Sequence, residues 1–115
     1  MSGGSTTQPL VSVIIPHYGG EDILQECLES LINTEYLELE IIVADNSSLD
    51  DSVKMVQNNF PQVTLIQSEY NRGFAGGCNF GAQHAKGEYL LILNNDTIHE
   101  KDWITYLVQR IETDK

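Results

Sequence analysis

The sequence predicts an α/β fold, a Rossmann-like parallel sheet with helices on both faces. Short apolar runs rich in Val, Ile and Leu recur along the 115 residues, and a segment compatible with a helix follows each of them. The connections between these segments are short and polar. Alternating strands and helices form a parallel sheet that is covered on both faces. Because crossovers between parallel strands are right-handed, the favoured strand order is 3-2-1-4.

The predicted strands differ in their apolar pattern. The first run is continuous and β-branched, which is typical of a buried parallel strand. The third run alternates, which indicates a strand at the edge of the sheet. The predicted strands are Leu10–Ile15, Leu39–Ala44, Val63–Ile66 and Glu88–Leu93.

The predicted helices follow the strands one by one. In the first helix, apolar residues recur on one face and glutamates on the other, as in a helix that packs on a sheet. Ser48 is the predicted N-cap of the second helix, and Pro61 ends that helix. Gly87 is the predicted C-terminal stop of the third helix. The predicted helical segments are Glu21–Asn33, Ser47–Phe60, Phe74–Ala85 and Trp103–Ile111.

The charge balance narrows the class of partner. The chain has 17 acidic residues against 6 Lys and Arg, a formal net charge of −11. Nucleic acid is therefore not expected as a partner, because it requires a basic face. A polyanionic ligand would need a metal ion to supply positive charge locally. No apolar run approaches the roughly 20 residues of a membrane-spanning helix, so no membrane span is predicted.

The first residues of the chain and its two cysteines lead to expectations about domain bounds and cellular location. Residues 1–8 are polar and are predicted to be a disordered leader, with residues 9–115 as one domain. Cys27 and Cys78 lack the spacing of a metal site. Packed, reduced thiols are the expectation for both, which indicates a cytoplasmic protein.

Four loop segments are predicted to meet at one edge of the sheet. The winding of the sheet reverses between the first and fourth strands, and ligands bind beyond the carboxyl ends of strands at such a point. "PHYGG" (Pro16–Gly20) and "NND" (Asn94–Asp96) follow these two strands, and "DNSS" (Asp45–Ser48) follows the second. "NRGFAGGCNFG" (Asn71–Gly81) leads from the third strand toward the same crevice.

The residue types in these loops suit a nucleotide diphosphate. Asp45 can accept hydrogen bonds from a base imide or from ribose hydroxyls, although aspartate is also a common turn residue. Tyr18 could stack on a base or be an exposed loop tyrosine. Asp96 offers a carboxylate, and Asn94 and Asn95 offer amide oxygens. Mg and Mn often take one or two carboxylates and complete their shell with diphosphate oxygens and water. The alternative for these three residues is a plain loop that enters a helix.

The glycine-rich segment admits two explanations. It lacks the Lys-Ser/Thr of a P-loop and the Gly-x-Gly-x-x-Gly pattern of a dinucleotide-binding turn. Glycine lets the backbone approach a ligand closely, and it also lets a helix pack tightly against a sheet. The sequence leaves both explanations open.

Taken together and in this order, "VSVIIPHYGG", "IIVADNSS", "NRGFAGGCNFG" and "YLLILNND" resemble the family-2 inverting glycosyltransferases of GT-A fold. The glycine segment is most similar to that of bacterial rhamnosyl- and galactofuranosyltransferases. The resemblance implies that residues 9–115 are the nucleotide-diphospho-sugar-binding part of a truncated glycosyltransferase domain, the donor-binding half of a GT-A fold.

The resemblance also implies roles for the first two loops. Pro16, His17 and Tyr18 match the family loop that borders the nucleoside. Asp45 matches the aspartate that binds the imide of uracil or thymine. The family commonly has Asn after the tyrosine, where this sequence has Gly19.

The other two segments are matched in the same way. Arg72 and Gly73 match the segment that passes beside the base and the diphosphate. Asn94, Asn95 and Asp96 match the D-x-D-like motif of the nucleotide-sugar site, with Asn95 at the ribose contact and Asp96 as the metal ligand. Asn94 replaces the first acid of that motif, so the implied Mg or Mn ion is expected to bind together with the nucleotide diphosphate.

The implied function is transfer of a sugar from a UDP- or dTDP-sugar to a saccharide or lipid-linked acceptor hydroxyl, with inversion, in polysaccharide or glycoconjugate synthesis. A base deprotonates the acceptor hydroxyl, which attacks the anomeric carbon. No residue of this chain matches the family's base, so the chain is expected to bind donor and to be inactive alone. The full-length protein is expected in the cytoplasm or at the inner face of the membrane, and a homodimer is a further expectation.

Three other functions are alternatives to this one. A receiver-like signalling domain would need paired acids after the first strand and a lysine near the end of the last strand, and the sequence has neither. A sugar nucleotidyltransferase would need a glycine-rich basic loop directly after the first strand, whereas "PHYGGED" is acidic. A non-catalytic nucleotide-binding module is compatible with the absent base.

Overall fold

The computed structural model describes residues 8–113 and contains the four strands and four helices that the sequence predicts. Residues 1–7 of the predicted leader lie outside the described residues. The strands are β1 (Val11–His17), β2 (Leu39–Asp45), β3 (Thr64–Gln67) and β4 (Tyr89–Ile92). The helices are α1 (Glu21–Ile32), α2 (Ser52–Asn59), α3 (Gly73–Ala82) and α4 (Trp103–Thr113).

The sheet is parallel throughout and has the predicted order β3-β2-β1-β4. β1 pairs with β2 along its whole length, with His17 opposite Asp45 at the last pair. β4 ends earlier, with Ile92 opposite Ile14. The carboxyl ends of β1 and β2 are therefore level, and the loop after β4 begins beside the last residues of β1.

The hydrophobic core lies between one face of the sheet and helices α1, α2 and α4. Alternate residues of β1 point into it, and apolar residues at helical spacing on α1 and α4 meet them. Full burial of one such side chain stabilises the fold by about 1.5–3 kcal/mol. The fully buried members from these three elements are Val11, Val13, Ile15, Leu24, Cys27, Leu28, Leu31 and Ile104.

Helix α3 lies on the opposite face of the sheet, over β1 and β2, and two glycines bring it close. A Cβ atom on Gly81 would overlap Ile14 Cγ2. A Cβ atom on Gly77 would lie 2.7 Å from Asn46 Nδ2 and 3.2 Å from Pro16 Cβ. The explanation of the glycine segment by tight helix packing therefore holds at these two positions.

The second helix is shorter than predicted, and Ser48 is not its N-cap. Ser48 donates from its backbone N and its Oγ to the Asp45 carboxylate, at 3.0 and 2.6 Å, and its Oγ accepts from the backbone N of Gly19 at 2.8 Å. These bonds close a turn after β2 and leave the hydroxyl unavailable for capping. The helix begins only at Ser52, whose backbone N donates to Asp50 Oδ1 at 3.0 Å.

The prediction that Gly87 stops the third helix is also wrong. Helix α3 ends at Ala82, with Gln83 at its C-cap. Gly87 instead donates from its backbone N to Ser12 Oγ at 2.8 Å, and a Cβ atom there would lie 2.7 Å from the Ser12 backbone N. The missing side chain lets the chain run against β1 as it enters β4.

Strand β4 packs against the core on one face only, through partly buried side chains. Tyr89, Leu91 and Leu93 pack against the core, whereas Leu90 and Ile92 are 48% and 43% exposed. The helices thus cover both faces of the sheet over β1 and β2, while the α3 side of β4 is open among the described residues. None of the helices between residues 8 and 113 has the length and apolar character needed to cross a bilayer.

Replacing Gly81 with alanine should destabilise the domain by about 1–3 kcal/mol, because the new Cβ would overlap Ile14 Cγ2 and overpack the contact between α3 and β1. The sign of this change in stability is informative, because a Gly→Ala change inside a helix otherwise stabilises the helix by about 1 kcal/mol. Urea unfolding followed by circular dichroism measures the difference.

Asn79→Ala provides the matched control, because Asn79 lies on the exposed side of the same helix. This change should leave the free energy of unfolding the same or raise it by a few tenths of a kcal/mol, roughly the difference in helix propensity. A Gly81→Ala protein as stable as the parent would contradict the close packing of α3.

Candidate functional site

A cleft of about 360 Å³ opens at the carboxyl edge of the sheet. Its volume lies in the range of small-molecule sites, roughly 300–1,000 Å³. Four segments that are far apart in the sequence line this cleft. Three of them follow strands β1, β2 and β4, and the fourth leads into helix α3. The lining residues are Pro16, His17, Tyr18, Asn46, Asn71, Gly73, Phe74, Asn94, Asn95 and Asp96.

The structure brings most of the predicted site residues together, with two exceptions. Pro16, His17, Tyr18, Gly73 and the predicted D-x-D-like residues all line the cleft. Asp45 and Arg72 are the predicted site residues that do not line it. The lining also includes three residues that the sequence analysis did not single out, namely Asn46, Asn71 and Phe74.

The loop after β1 is held in place by the loop after β2. Gly19 and Gly20 have φ angles of 70° and 88°, in the left-handed region that favours glycine. Their backbone N atoms donate to Ser48 Oγ and Asp50 Oδ2, both at 2.8 Å. The glycine at position 19, where the resembling family commonly has Asn, therefore meets a backbone requirement of this loop.

Asp45 is buried, and its carboxylate has local partners. Its exposed fraction is 3%, and its two oxygens accept from the backbone N and the hydroxyl of Ser48. This is the turn chemistry that the sequence left open as the alternative. Binding of a base imide by Asp45 stays a prediction.

Asn46 connects the end of β2 to the glycine-rich loop. Its side chain is 4% exposed, and Oδ1 accepts from the backbone N of Arg72 at 3.1 Å while Nδ2 donates to the carbonyl oxygen of Gly73 at 3.2 Å. Gly73 has a φ angle of 76°, and its backbone N donates to Asn71 Oδ1 at 2.8 Å. Its position directly after a strand end is the feature of the sequence that could have marked Asn46 as a site residue. Its partners, Arg72 and Gly73, are identified only by the fold.

The Arg72 side chain turns away from the cleft. Its guanidinium carbon lies 4.8 Å from the ring centroid of Tyr70 and 4.4 Å from that of Phe80, which are cation–π distances. Its Nε donates to Ser68 Oγ at 2.8 Å. Arg72 thus contributes its backbone to the cleft loop, while its charge lies between two aromatic rings.

Hydrogen bonds hold the loop after β4 at the first two residues of the "NND" segment. Asn95 Nδ2 lies 2.9 Å from His17 Nδ1, which ties the middle residue to β1. Thr97 Oγ1 donates to the carbonyl oxygen of Asn94 at 2.9 Å and lies 2.8 Å from His99 Nε2. The Asp96 carboxylate between these anchors is exposed at the cleft.

The loop is also anchored to α1. The backbone N of His99 donates to Ser30 Oγ at 3.1 Å, and Cys27 Sγ lies 3.8 Å from Thr97 Oγ1. Burial raises the pKa of the Cys27 thiol, so Cys27 is a packed neutral thiol as expected.

The cleft is polar, neutral at most positions and acidic at one. Asp96 is the single charged residue in its lining, and no Lys or Arg is among those lining residues. Between residues 8 and 113 there is no group of three His, Cys, Asp or Glu side chains that could hold a metal ion without other ligands. A diphosphate in this cleft would therefore meet an oxygen-rich surface rather than a cationic one.

Two aromatic side chains flank the cleft with exposed faces. Tyr18 is 52% exposed and Phe74 is 59% exposed, and both line the cleft. Exposed aromatic rings beside a polar cleft offer stacking surfaces for a flat base.

Comparison with known proteins gives a family and related proteins of known name. The family model "Glycosyl transferase family 2" matches residues 12–115. "Glycosyltransferase GlyG" from Streptococcus pneumoniae is 34% identical over 108 residues, which cover 90% of the chain and 35% of that protein. The Escherichia coli "UDP-Glc:alpha-D-GlcNAc-diphosphoundecaprenol beta-1,3-glucosyltransferase WfaP" is 32% identical over 107 residues, which cover 92% of the chain and 43% of that protein.

A solved structure shows the same fold. The "Mannosyltransferase PcManGT from Pyrobaculum calidifontis in complex with GDP-Man and Mn2+" superimposes with a TM-score of 0.81 at 28% identity, over 93% of the chain and 32% of that protein. The chain thus spans less than half the length of each of these three proteins.

The stability of the domain should fall as the pH is lowered below about 6.5, in part because of His17. Burial lowers the pKa of His17 below its ordinary value of 6.5, while Asp45 and Asp50 oppose this shift. Unfolded His17 then binds a proton at a higher pH than folded His17 does, so this contribution to stability is present above pH 6.5 and is lost as the pH falls through the folded pKa. Urea unfolding at a series of pH values from 7.5 to 5 measures it.

His17→Gln is the comparison for that series, because glutamine does not titrate. Its free energy of unfolding should vary less steeply with pH over this range, with a remaining slope from His99, whose pKa burial also lowers. Equal slopes for the two proteins would contradict the assignment to His17.

Asn46→Ala should lower stability by about 1–3 kcal/mol, because it leaves the backbone N of Arg72 and the carbonyl oxygen of Gly73 without their partner. Asn46→Asp keeps the acceptor for the backbone N of Arg72 but loses the donor to the carbonyl oxygen of Gly73, so it should also lower stability. Thermal unfolding measures both, and unchanged midpoints would show that Asn46 does not hold the loop.

Proposed function

We propose, since the chain belongs to glycosyl transferase family 2, that residues 9–115 bind the nucleotide diphosphate of a sugar donor in the cleft at the carboxyl edge of the sheet. The whole protein would transfer that sugar with inversion to an acceptor hydroxyl in polysaccharide or glycoconjugate synthesis. The observation that carries the proposal is the convergence of four separated segments on one polar cleft of about 360 Å³.

The nucleoside is assigned to the side of the cleft formed by the loops after β1 and β2 and by the start of α3. Tyr18 and Phe74 supply exposed rings for stacking. Asp45 is the proposed partner of a uracil or thymine imide, and its two oxygens, each already accepting from Ser48, keep further acceptor capacity. The donor would then be a UDP- or dTDP-sugar, and the Escherichia coli relative carries UDP-Glc in its name.

The diphosphate is assigned to the side of the cleft formed by the loop after β4. Asp96 supplies one exposed carboxylate as the proposed metal ligand, with Asn94 in the same part of the lining, and Asn95 stays the proposed ribose contact. Oxygen ligands of this kind fit Mg or Mn, provided that diphosphate oxygens complete the shell. Such an ion would offset the negative charge of the leaving diphosphate. The Pyrobaculum structure, which contains Mn²⁺ together with GDP-Man, supports the use of a divalent cation.

The residues of this chain would bind and orient the donor, and the attack on the anomeric carbon needs a base that we assign to no residue here. The chain spans 35% of the Streptococcus relative, so the acceptor and the transfer step of the whole protein are proposals. Low transfer activity of these 115 residues alone stays a prediction. The cytoplasmic location and the homodimer also stay predictions.

The other functions find less support. The segment from Pro16 to Asp22 contains two acids and no Lys or Arg, which does not suit the triphosphate of a nucleotidyltransferase. Membership of a transferase family also favours an enzyme over a non-catalytic binding module.

UDP or dTDP should bind this chain in isothermal titration calorimetry, and Mn²⁺ should strengthen the binding. Asp96→Asn should remove most of the gain from Mn²⁺, at least about tenfold in Kd, which corresponds to roughly 1.4 kcal/mol. The nucleotide with the lower Kd identifies the base of the donor.

Glu100→Gln is the control for the charge change, because Glu100 is an exposed acid of the same loop outside the cleft lining. It should bind nucleotide and Mn²⁺ like the parent protein. A folded parent protein that binds neither nucleotide, with or without Mn²⁺, would overturn the proposed function.

A further inference from the structure

A chain of side-chain hydrogen bonds runs from the start of α2 to the cleft. Ser52 Oγ donates to Asp50 Oδ1 at 2.5 Å, and His17 Nε2 lies 2.8 Å from Ser52 Oγ. His17 Nδ1 lies 2.9 Å from Asn95 Nδ2. His17 and Ser52 are each 1% exposed, so these two side chains depend on one another rather than on water.

The donor and the acceptor in the Ser52–Asp50 and His17–Ser52 hydrogen bonds follow from the number of protons that each side chain carries. A hydroxyl has one proton, and an ionised carboxylate can only accept. The hydrogen bond from Ser52 lowers the pKa of Asp50, so Asp50 is ionised near neutral pH and takes the Ser52 proton. Ser52 Oγ can then only accept from the imidazole, which places the proton of His17 on Nε2.

The donor in the hydrogen bond between His17 and Asn95 follows from the same count of protons. Burial lowers the pKa of His17, while Asp45 and Asp50 act in the opposite sense, so the neutral imidazole with one proton is favoured. With that proton on Nε2, the Nδ1 atom is an acceptor, and only the NH₂ group of Asn95 can meet it. The orientation of the Asn95 amide is therefore fixed by its bond to the buried imidazole of His17.

The fixed amide leaves its oxygen available. No hydrogen bond within residues 8–113 uses Asn95 Oδ1, and this atom is not among the buried atoms that lack a partner. Asn95 lines the cleft and is partly exposed, so its Oδ1 atom is an unused acceptor at the cleft.

We propose that His17 is a positioning residue, which holds the Asn95 amide so that the cleft presents an acceptor for a ribose hydroxyl. The ribose as ligand rests on the proposed function, whereas the hydrogen-bond chain from Asp50 to Asn95 does not depend on it. A hydroxyl donates to Oδ1, whereas a phosphate oxygen, which only accepts, would be repelled by it. In the opposite orientation the NH₂ group would face the cleft, and this preference would be reversed.

The first measurement is the tautomer of His17 by ¹⁵N NMR of the imidazole in the 115-residue chain without nucleotide. We expect the proton on Nε2. In Ser52→Ala the Nε2 proton loses its acceptor, so the signal should shift toward the Nδ1-protonated form. Ser52→Thr keeps the hydroxyl and should keep the tautomer of the parent protein.

The second measurement compares UDP with 2′-deoxy-UDP and 3′-deoxy-UDP by calorimetry at constant Mn²⁺. The parent protein and Ser52→Thr should bind at least one deoxy analogue about five- to tenfold more weakly than UDP, the effect of one hydrogen bond. Ser52→Ala and Asn95→Ala should lose this preference, although Ser52 itself does not line the cleft.

The outcomes separate the inference from the proposed function. A proton on Nδ1 in the parent protein, or an unchanged preference in Ser52→Ala, would overturn the positioning role even if UDP binds. A proton on Nε2 together with no UDP binding would overturn the proposed function, and the ribose assignment with it.

Discussion

The parallel pairing of β1 with β2 is the constraint on which the cleft depends. The two strands pair over seven residues, and β1 is buried throughout. A shift of one residue in this register would turn the core side chains to the opposite face, so the register is strongly specified. It sets His17 opposite Asp45, and the backbone N of Asn46 donates to the carbonyl oxygen of His17 at 2.8 Å. His17, Asp45 and Asn46, with which the first two loops begin, are thereby held at the end of a buried pair of strands.

The close approach of α3 to this pair of strands completes the cleft. Gly77 and Gly81 leave no room for a Cβ atom, and the helix lies near enough for Asn46 to bond the loop that precedes it. Gly73 has another use, because its left-handed φ angle turns the chain into the helix at the edge of the cleft. The glycine segment therefore serves packing at its middle and end, and backbone geometry at its start.

Buried polar side chains at the base of the cleft have hydrogen-bond partners within the protein, whereas other lining residues are exposed and can meet a ligand. His17, Ser52 and Asn46 are each less than 5% exposed, and each has a side-chain or backbone partner. Low dielectric around such groups strengthens their hydrogen bonds and makes an unpaired one costly. The acceptors in the cleft lining include the exposed Asp96 carboxylate and the amide oxygen of the partly exposed Asn95, and such acceptors suit hydroxyl groups and a cation-bound diphosphate.

The sequence by itself determined the strands, their order and the four loops at the carboxyl edge, because apolar periodicity and the handedness of crossovers are local or general properties. It did not determine the partners of individual polar side chains. Ser48 bonds Asp45 and Gly19 instead of capping a helix, and the Arg72 guanidinium lies between two rings instead of in the cleft. Asn46 bonds residues 26 and 27 positions away. Such partners depend on which loops the tertiary structure brings together, and no pattern along the chain contains that information.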